Sequence, residues 1–298
     1  MHALSLNSIG YTTREGFWLK KKNILQNVNL AIAQGETVGL VGQNGAGKTT
    51  LLKITAGILN PSHGDATILG KASSLSNSKN NIAFLTENQY VYPHLTTREW
   101  LSVMGRCSGI TGNRLSLIVD SLLIEFDLSE YSEKQMKDLS KGQKQRALIA
   151  QLFLNEPAVL ILDEPMSGLD HIWREHMRIK LNTFRNKGGT VFFSSHILSD
   201  IETICDRIIY LKDGEVRWDG SVDHILSKSR LKQVVLKKNG ESSWNSLGDV
   251  LWERGEQVSL LVDTDSFGRF QHELSKDSSL TILRVNPYIP SLEAMFEI

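Results

Sequence analysis

The chain has 298 residues, 41% of them hydrophobic, with 33 basic residues against 33 acidic ones. That size suits one large domain and a small one of ordinary globular composition, and a formal net charge of zero excludes a global electrostatic pull toward nucleic acid. Two cysteines, Cys107 and Cys205, exclude a disulfide framework and suit a reducing compartment; no signal peptide is expected before the first strand, and no apolar run approaches the roughly 20 residues that span a bilayer.

In chain order, Leu4–Ile9 and Ile24–Ile32 read as antiparallel strands of a sheet edge, and the Lys20-Lys21-Lys22 run between them as a solvated loop. The apolar stretch Thr37–Val41 reads as a buried strand. It runs into Gly42, Gln43, Asn44, Gly45, Ala46, Gly47, Lys48, Thr49 and Thr50, which fit the phosphate-loop pattern of four variable residues between glycine and Gly-Lys-Thr. Thr50–Ile54 then reads as a helix. A strand–loop–helix context turns successive backbone N–H groups and a helix N-terminus toward phosphate oxygens. Lys48 is expected to reach the β- and γ-phosphates of a nucleoside triphosphate, and the Thr49 hydroxyl to bind Mg²⁺.

Ile82–Thr86 reads as a further strand ending at Glu87, with Gln89 two residues on. From about residue 92 to 156 strand character is lost, and apolar positions recur at helical spacing, as at Leu115, Ile118, Val119, Leu122 and Leu123. Leu139–Gln143 (LSKGQ) precedes a helical run. The core resumes with strands at 158–162, 189–194 and 207–211, and Lys212–Glu215 reads as a hairpin turn. Val159–Leu162 is wholly apolar, as a central parallel strand requires, and ends in Asp163-Glu164. At the carboxyl end of such a strand Asp163 would hold Mg²⁺ and Glu164 would act as general base toward water. Ser167–Asp170 (SGLD) and His196, after TVFFSS, complete the series.

The order phosphate loop, LSKGQ, LDEP, SGLD and His196 resembles the ATP-binding cassette (ABC) ATPases, over about Leu4–Gly220. The resemblance implies a P-loop NTPase core of ABC type with an antiparallel β edge and a helical signature subdomain. It further implies that two copies pack head to tail, so that Ser140, Gly142 and Gln143 of one subunit meet the γ-phosphate held by the other. Asp170 falls in the family's D-loop, and His196 takes the place of its switch histidine. Glu87 stands where much of the family has a glutamine touching Mg²⁺. With the YPHLT that follows, it looks like export-type subunits. The family also stacks adenine on an aromatic near the N-terminus. Tyr11, Phe17 and Trp18 are candidates, each equally able to be a packing residue, because Arg14–Lys22 interrupts the correspondence.

Residues 1–225 would thus form the ABC ATPase domain and 226–298 a small C-terminal α/β accessory domain. In the latter, strands at Gln233–Leu236, Gln257–Val262 and Leu280–Arg284 alternate with helices at Ser246–Glu253 and Ser266–Lys276, and Pro290–Phe296 resembles a terminal helix of export-type subunits. The expected role is an ATP-hydrolysing subunit, at the cytoplasmic face of the cell membrane, powering separate transmembrane permease subunits as a homodimer. The alternative is a soluble ABC ATPase acting on a ribosome or nucleic acid; such proteins usually carry tandem cassettes or long coiled-coil insertions, and this chain has one cassette and no sustained heptads. A P-loop kinase or GTPase would leave LSKGQ, SGLD and His196 unexplained.

Overall fold

The computed structural model describes residues 2–15, 20–227, 231–238, 247–276 and 279–288. The chain divides into two compact units, Met1–Asp219 and Gly220–Ile298.

The first unit begins with two long strands, β1 (His2–Glu15) and β2 (Lys20–Ala33), paired antiparallel as far as Glu15 opposite Lys20. The lysine run read as a loop therefore opens β2. Backbone pairing continues through it, with Thr13 opposite Lys22 and Arg14 opposite Lys21, so the ladder extends further than the apolar positions alone indicate. With β4 (His63–Ile68) and β5 (Lys71–Ala72) these strands form a sheet of their own, ordered β2-β1-β4-β5.

The second sheet carries the chemistry. Its order is β10-β9-β3-β8-β7-β6, from β3 (Thr37–Val41), β6 (Ile82–Leu85), β7 (Val159–Leu162), β8 (Thr190–Ser194), β9 (Arg207–Lys212) and β10 (Glu215–Ser221). β3, β7 and β8 are buried along their whole length, as parallel strands covered on both faces must be. β3 pairs parallel with β8 and β9, and β7 with β6 and β8. β9 and β10 are joined by Asp213-Gly214, whose φ angles of 52° and 77° suit the tight two-residue turn. α1 (Lys48–Thr55) follows β3, and its Leu51, Leu52 and Ile54 join one apolar core with both sheets.

Between β6 and β7 lie α2 (Thr97–Cys107), α3 (Gly112–Glu125) and α4 (Lys141–Ala150). α2 opens with a capping box in which Thr96 and Glu99 exchange side-chain-to-backbone bonds of 3.1 and 2.8 Å. α3 buries Leu115, Val119, Leu122 and Leu123, the face its periodicity predicts. α5 (His171–Asn186) connects β7 to β8, and α6 (Leu198–Ile204) connects β8 to β9. Among the described residues no helix is long and apolar enough to cross a membrane.

The second unit contains α7 (Val222–Ser227) and a four-stranded antiparallel sheet, ordered β12-β13-β11-β14. Its strands are β11 (Leu231–Lys238), β12 (Asp249–Arg254), β13 (Gln257–Asp263) and β14 (Leu280–Tyr288). α8 (Phe267–Leu274) packs Phe270 and Leu274 on Val234, Leu236, Val258 and Leu260. The helix expected at Ser246–Glu253 is a correction: residues 249–254 are a strand. Gly255, which ends that run as a helix stop would, takes φ 54° in the turn of a β12–β13 hairpin, with Arg254 opposite Gln257. The sheet is accordingly antiparallel rather than a βαβαβ series. The helix expected at Pro290–Phe296 lies outside the described residues.

Candidate functional site

The phosphate loop needs glycine at two places for reasons of space. A Cβ at Gly42 would lie 2.2 Å from the carbonyl oxygen of Leu211. One at Gly47, where φ is 105°, would lie 2.8 Å from Leu25 Cδ2 and 3.0 Å from the Ile24 carbonyl oxygen. β9 and β2 thus press the loop from behind. Gln43, Asn44 and Gly45 are exposed at its mouth, while Ala46, Gly47 and Lys48 are buried. Gly47 is the N-cap of α1 and has no side chain to occupy the first-turn N–H groups, which stay available to an anion. Lys48 Nζ donates to the carbonyl oxygens of Gly42 at 2.7 Å and Gln43 at 3.2 Å, so its ammonium already lies over the loop.

β7 delivers the acids. Asp163 is 1% exposed, and its two oxygens are both engaged. Oδ2 accepts from the Thr49 hydroxyl at 2.7 Å and Oδ1 from the Ser194 hydroxyl at 2.7 Å. Ser194 Oγ also accepts from the Glu164 backbone N–H at 2.8 Å. Glu164 itself has φ 50°, a left-handed conformation that costs a non-glycine residue roughly 1–2 kcal/mol. Such strain persists where the surroundings over-determine it. Its Oε2 lies 2.8 Å from His196 Nδ1. Burial raises the Glu164 pKa, with Asp163 adding to the rise and His196 and Lys48 opposing it. The His196 side chain is 65% exposed and supports the carboxylate from the solvent side.

Thr49, Asp163, Glu164 and His196 are thereby joined to Lys48 and its loop in one constellation. Ser194, which links Asp163 to Glu164, was not singled out by the sequence; its only signal is its place at the end of a buried strand beside the one ending in Asp163. The Thr49 hydroxyl and Asp163 Oδ2 fit a small hard cation, since both are oxygen ligands already 2.7 Å apart at the foot of a phosphate loop.

Other expected residues stand apart. No hydrogen bond among the described residues joins Ser140, Gly142, Gln143 or Asp170 to the phosphate loop. Ser140 caps α4, and Gln143 completes a capping box: Ser140 Oγ accepts from Gln143 N–H at 3.2 Å, and Gln143 Oε1 accepts from Ser140 N–H at 2.9 Å. Gly142 faces the Gly168 carbonyl oxygen closely enough that a Cβ would sit 3.4 Å away. Asp170 caps α5 by accepting from the Trp173 N–H at 2.8 Å. α4 is held from its side by Arg146, which donates to Asp127 Oδ2 at 2.8 Å and stacks its guanidinium 4.5 Å from the centre of the Trp173 ring.

Glu87 is exposed just beyond β6, with no hydrogen bond among the described residues. Gln89 is half-buried and accepts from Gln151 Nε2 at 3.0 Å. Tyr11 lies half-buried in β1 and packs against the core. Phe17 and Trp18 lie outside the described residues.

The ABC transporter family profile matches residues 25–167. The chain is 40% identical over 226 residues to an uncharacterized ABC transporter ATP-binding protein of Nostoc sp., covering 74% of this chain and 67% of that one. It is 31% identical to the ABC transporter ATP-binding protein NatA of Bacillus subtilis, covering 72% and 89%. It is 33% identical to the spermidine/putrescine import ATP-binding protein PotA of Thermotoga maritima, covering 65% and 53%. The chain spans about two thirds of the length of its cyanobacterial relatives. Among solved structures, an ATP-binding subunit of an ABC transporter superposes with a TM-score of 0.68 at 30% identity, covering 76% of this chain and 92% of that one. The ATP-binding cassette MJ0796, described as dimeric in a post-hydrolysis state with ADP and Pi, gives 0.68 at 27% identity, covering 74% and 98%. The constellation around Lys48 and Asp163 therefore sits in a P-loop NTPase core of ABC type, and the chain belongs to the ATP-binding proteins of ABC transporters as an ABC ATPase.

Proposed function

We propose that this chain binds and hydrolyses ATP to drive an ABC transporter of export type, working as a dimer at the cytoplasmic face of separate transmembrane permease subunits. The observation that carries the catalytic part is the bonded series Thr49–Asp163–Ser194–Glu164–His196, set against a phosphate loop whose lysine is already over it. Lys48 and the loop N–H groups would hold the β- and γ-phosphates. Thr49 and Asp163 would hold Mg²⁺, which would neutralise charge on the β- and γ-phosphate oxygens. Glu164 would take a proton from the attacking water. The water oxygen would form a bond to the γ-phosphorus as the bond to the ADP oxygen breaks. Burial, by raising the Glu164 pKa, would make the carboxylate a stronger base toward that water. His196, 2.8 Å from Glu164 through Nδ1, would bond the γ-phosphate or the attacking water through Nε2.

Ser140, Gly142 and Gln143 would meet the γ-phosphate across a dimer interface, from the N-terminus of α4, with Asp170 beside them. ATP would close that dimer by binding the closed state better than the open one. Export rather than import is supported by Glu87 and the following Tyr92–Thr96, although a relative named for import shows that the family includes importers. Residues 226–298 would form an accessory domain.

Glu164→Gln tests the chemistry. The purified variant binds ATP with near-normal affinity, accumulates as an ATP-bound dimer in size-exclusion chromatography with Mg²⁺, and turns over at least about 100-fold more slowly. Turnover at the wild-type rate removes Glu164 from the role. Isolation of the complex from detergent-solubilised membranes identifies the permease and, through it, the direction of transport.

A further inference from the structure

α6 is seven residues long and starts two residues after His196. A helix so short has no stability of its own, so its placement comes from tertiary ties. Ile201 and Ile204 are buried, and apolar contact sets how deep the helix lies. It sets rotation about the helix axis poorly, because such contact has no direction. A directional tie comes from Asp200. Its carboxylate is completely buried and accepts from Arg178 Nη2 at 2.8 Å. Its second oxygen, Oδ2, is buried without a hydrogen-bond partner among the described residues.

Arg178 belongs to α5, which begins at the Asp170 cap immediately after Ser167–Leu169. The same guanidinium reaches Glu175 at 3.0 Å, one turn earlier on α5. A carboxylate buried this fully is expensive to desolvate, and a buried ion pair often stabilises no more than well-packed apolar side chains of the same volume. Stability is thus a poor reason for this pair. Its geometric effect is specific: it ties the helix that leaves His196 to the helix that leaves the SGLD segment.

We propose that Asp200 and Arg178 are positioning residues for ATP hydrolysis, acting through His196 by fixing the rotation of α6 against α5. The proposal rests on the role given above to His196. Without the pair α6 turns by a small angle, His196 Nδ1 leaves the 2.8 Å contact with Glu164, and the chemical step slows while nucleotide binding, which depends on the phosphate loop, does not.

The test is a mutant cycle with the full chain, using Asp200→Leu combined with Arg178→Met, which replaces the ion pair by apolar side chains of similar volume. The expected variant melts close to wild type, binds ATP within about twofold, and loses about 10- to 100-fold in kcat. Adding His196→Ala to it costs far less than His196→Ala costs alone, because the two changes remove the same contact. A folded apolar-pair variant with wild-type kcat overturns the proposal. So does a loss that multiplies in full with that of His196→Ala, or one that appears in ATP affinity rather than in kcat. Should the apolar pair not fold, Asp200→Asn, which preserves the side chain's shape, is read in the same cycle against the same outcomes. His196→Ala alone separates the premises: wild-type turnover there removes His196 from the reaction, whereas a large loss there beside a silent pair variant removes only the positioning role.

Discussion

The phosphate loop and the LSKGQ segment each lead into a helix N-terminus, yet their polar groups are engaged differently. Around the loop, groups that carry chemistry are bonded to one another: Lys48 to its own loop, Thr49 to Asp163, Asp163 to Ser194, and Glu164 to His196. These bonds are of the kind a triphosphate and a cation exchange for better ones. At α4, Ser140 and Gln143 satisfy each other in a capping box, and what remains toward solvent is the helix dipole. The first region is organised for a ligand by contacts within one subunit. The second is organised as a stable helix start, and takes part in the reaction only if another surface brings the phosphate to it.

The sharpest way to break this contrast is Lys48→Ala. It removes the one cation of the loop, and both ATP binding and turnover collapse, turnover by about 1000-fold or more. Near-normal ATPase activity of the purified variant places the nucleotide elsewhere. Next in size is Ser140→Asp. Aspartate caps a helix as well as serine does, so α4 and the melting temperature are preserved, while a negative charge now faces the incoming γ-phosphate. Turnover drops on the order of 100-fold. Mixing it with Lys48→Ala subunits restores part of the activity, since each heterodimer retains one intact composite site. No restoration, with both variants folded, keeps the signature residues out of the partner's site.

A smaller effect separates Glu87 from Gln89. Glu87→Ala lowers Mg²⁺-dependent turnover severalfold and the loss is eased by raising Mg²⁺. Gln89→Ala loses its bond to Gln151, at a cost of about 1 kcal/mol in stability, and leaves the Mg²⁺ dependence alone. The reverse pattern in parallel titrations transfers the role to Gln89. The smallest effect is on stability. Burial raises the folded-state pKa of Glu164 above its ordinary 4.5, so between those two values the folded protein binds more protons than the unfolded one, and stability falls as pH rises. Glu164→Gln abolishes that slope. Its melting temperature gains on wild type between pH 4.5 and pH 8, and an unchanged difference across that range shows that the carboxylate titrates alike in both states.

The phosphate loop, the Asp163–Glu164 pair and His196 were legible in the sequence because phosphate chemistry leaves few choices. Gly42 and Gly47 have no room for a side chain, and the carboxylates belong at the end of an apolar strand. α3 was legible because its buried face repeats at helical spacing. The strand at Asp249–Arg254 was not, since a glycine in the left-handed region ends a helix and turns a hairpin equally well; Gly255 does the second. Partners distant in sequence were also hidden. Nothing local announces that Arg146 stacks on Trp173, that Gln89 meets Gln151, or that Arg178 reaches Asp200.

The turn after β9 has a consequence for synthesis on the ribosome. Leu211 presses its carbonyl against Gly42, and Gly214 donates to the Ala46 carbonyl at 3.2 Å and accepts from the Gln26 N–H at 2.9 Å. The loop is among the first segments to emerge, while the β9 side of the wall behind it is made roughly 170 residues later. β3 likewise waits for both of its neighbours, β8 and β9. A nascent chain halted before residue 207 therefore carries the phosphate-loop residues without the β9 contacts behind them. The contacts that β9 and its turn make with the loop are thus completed only after His196 has been made.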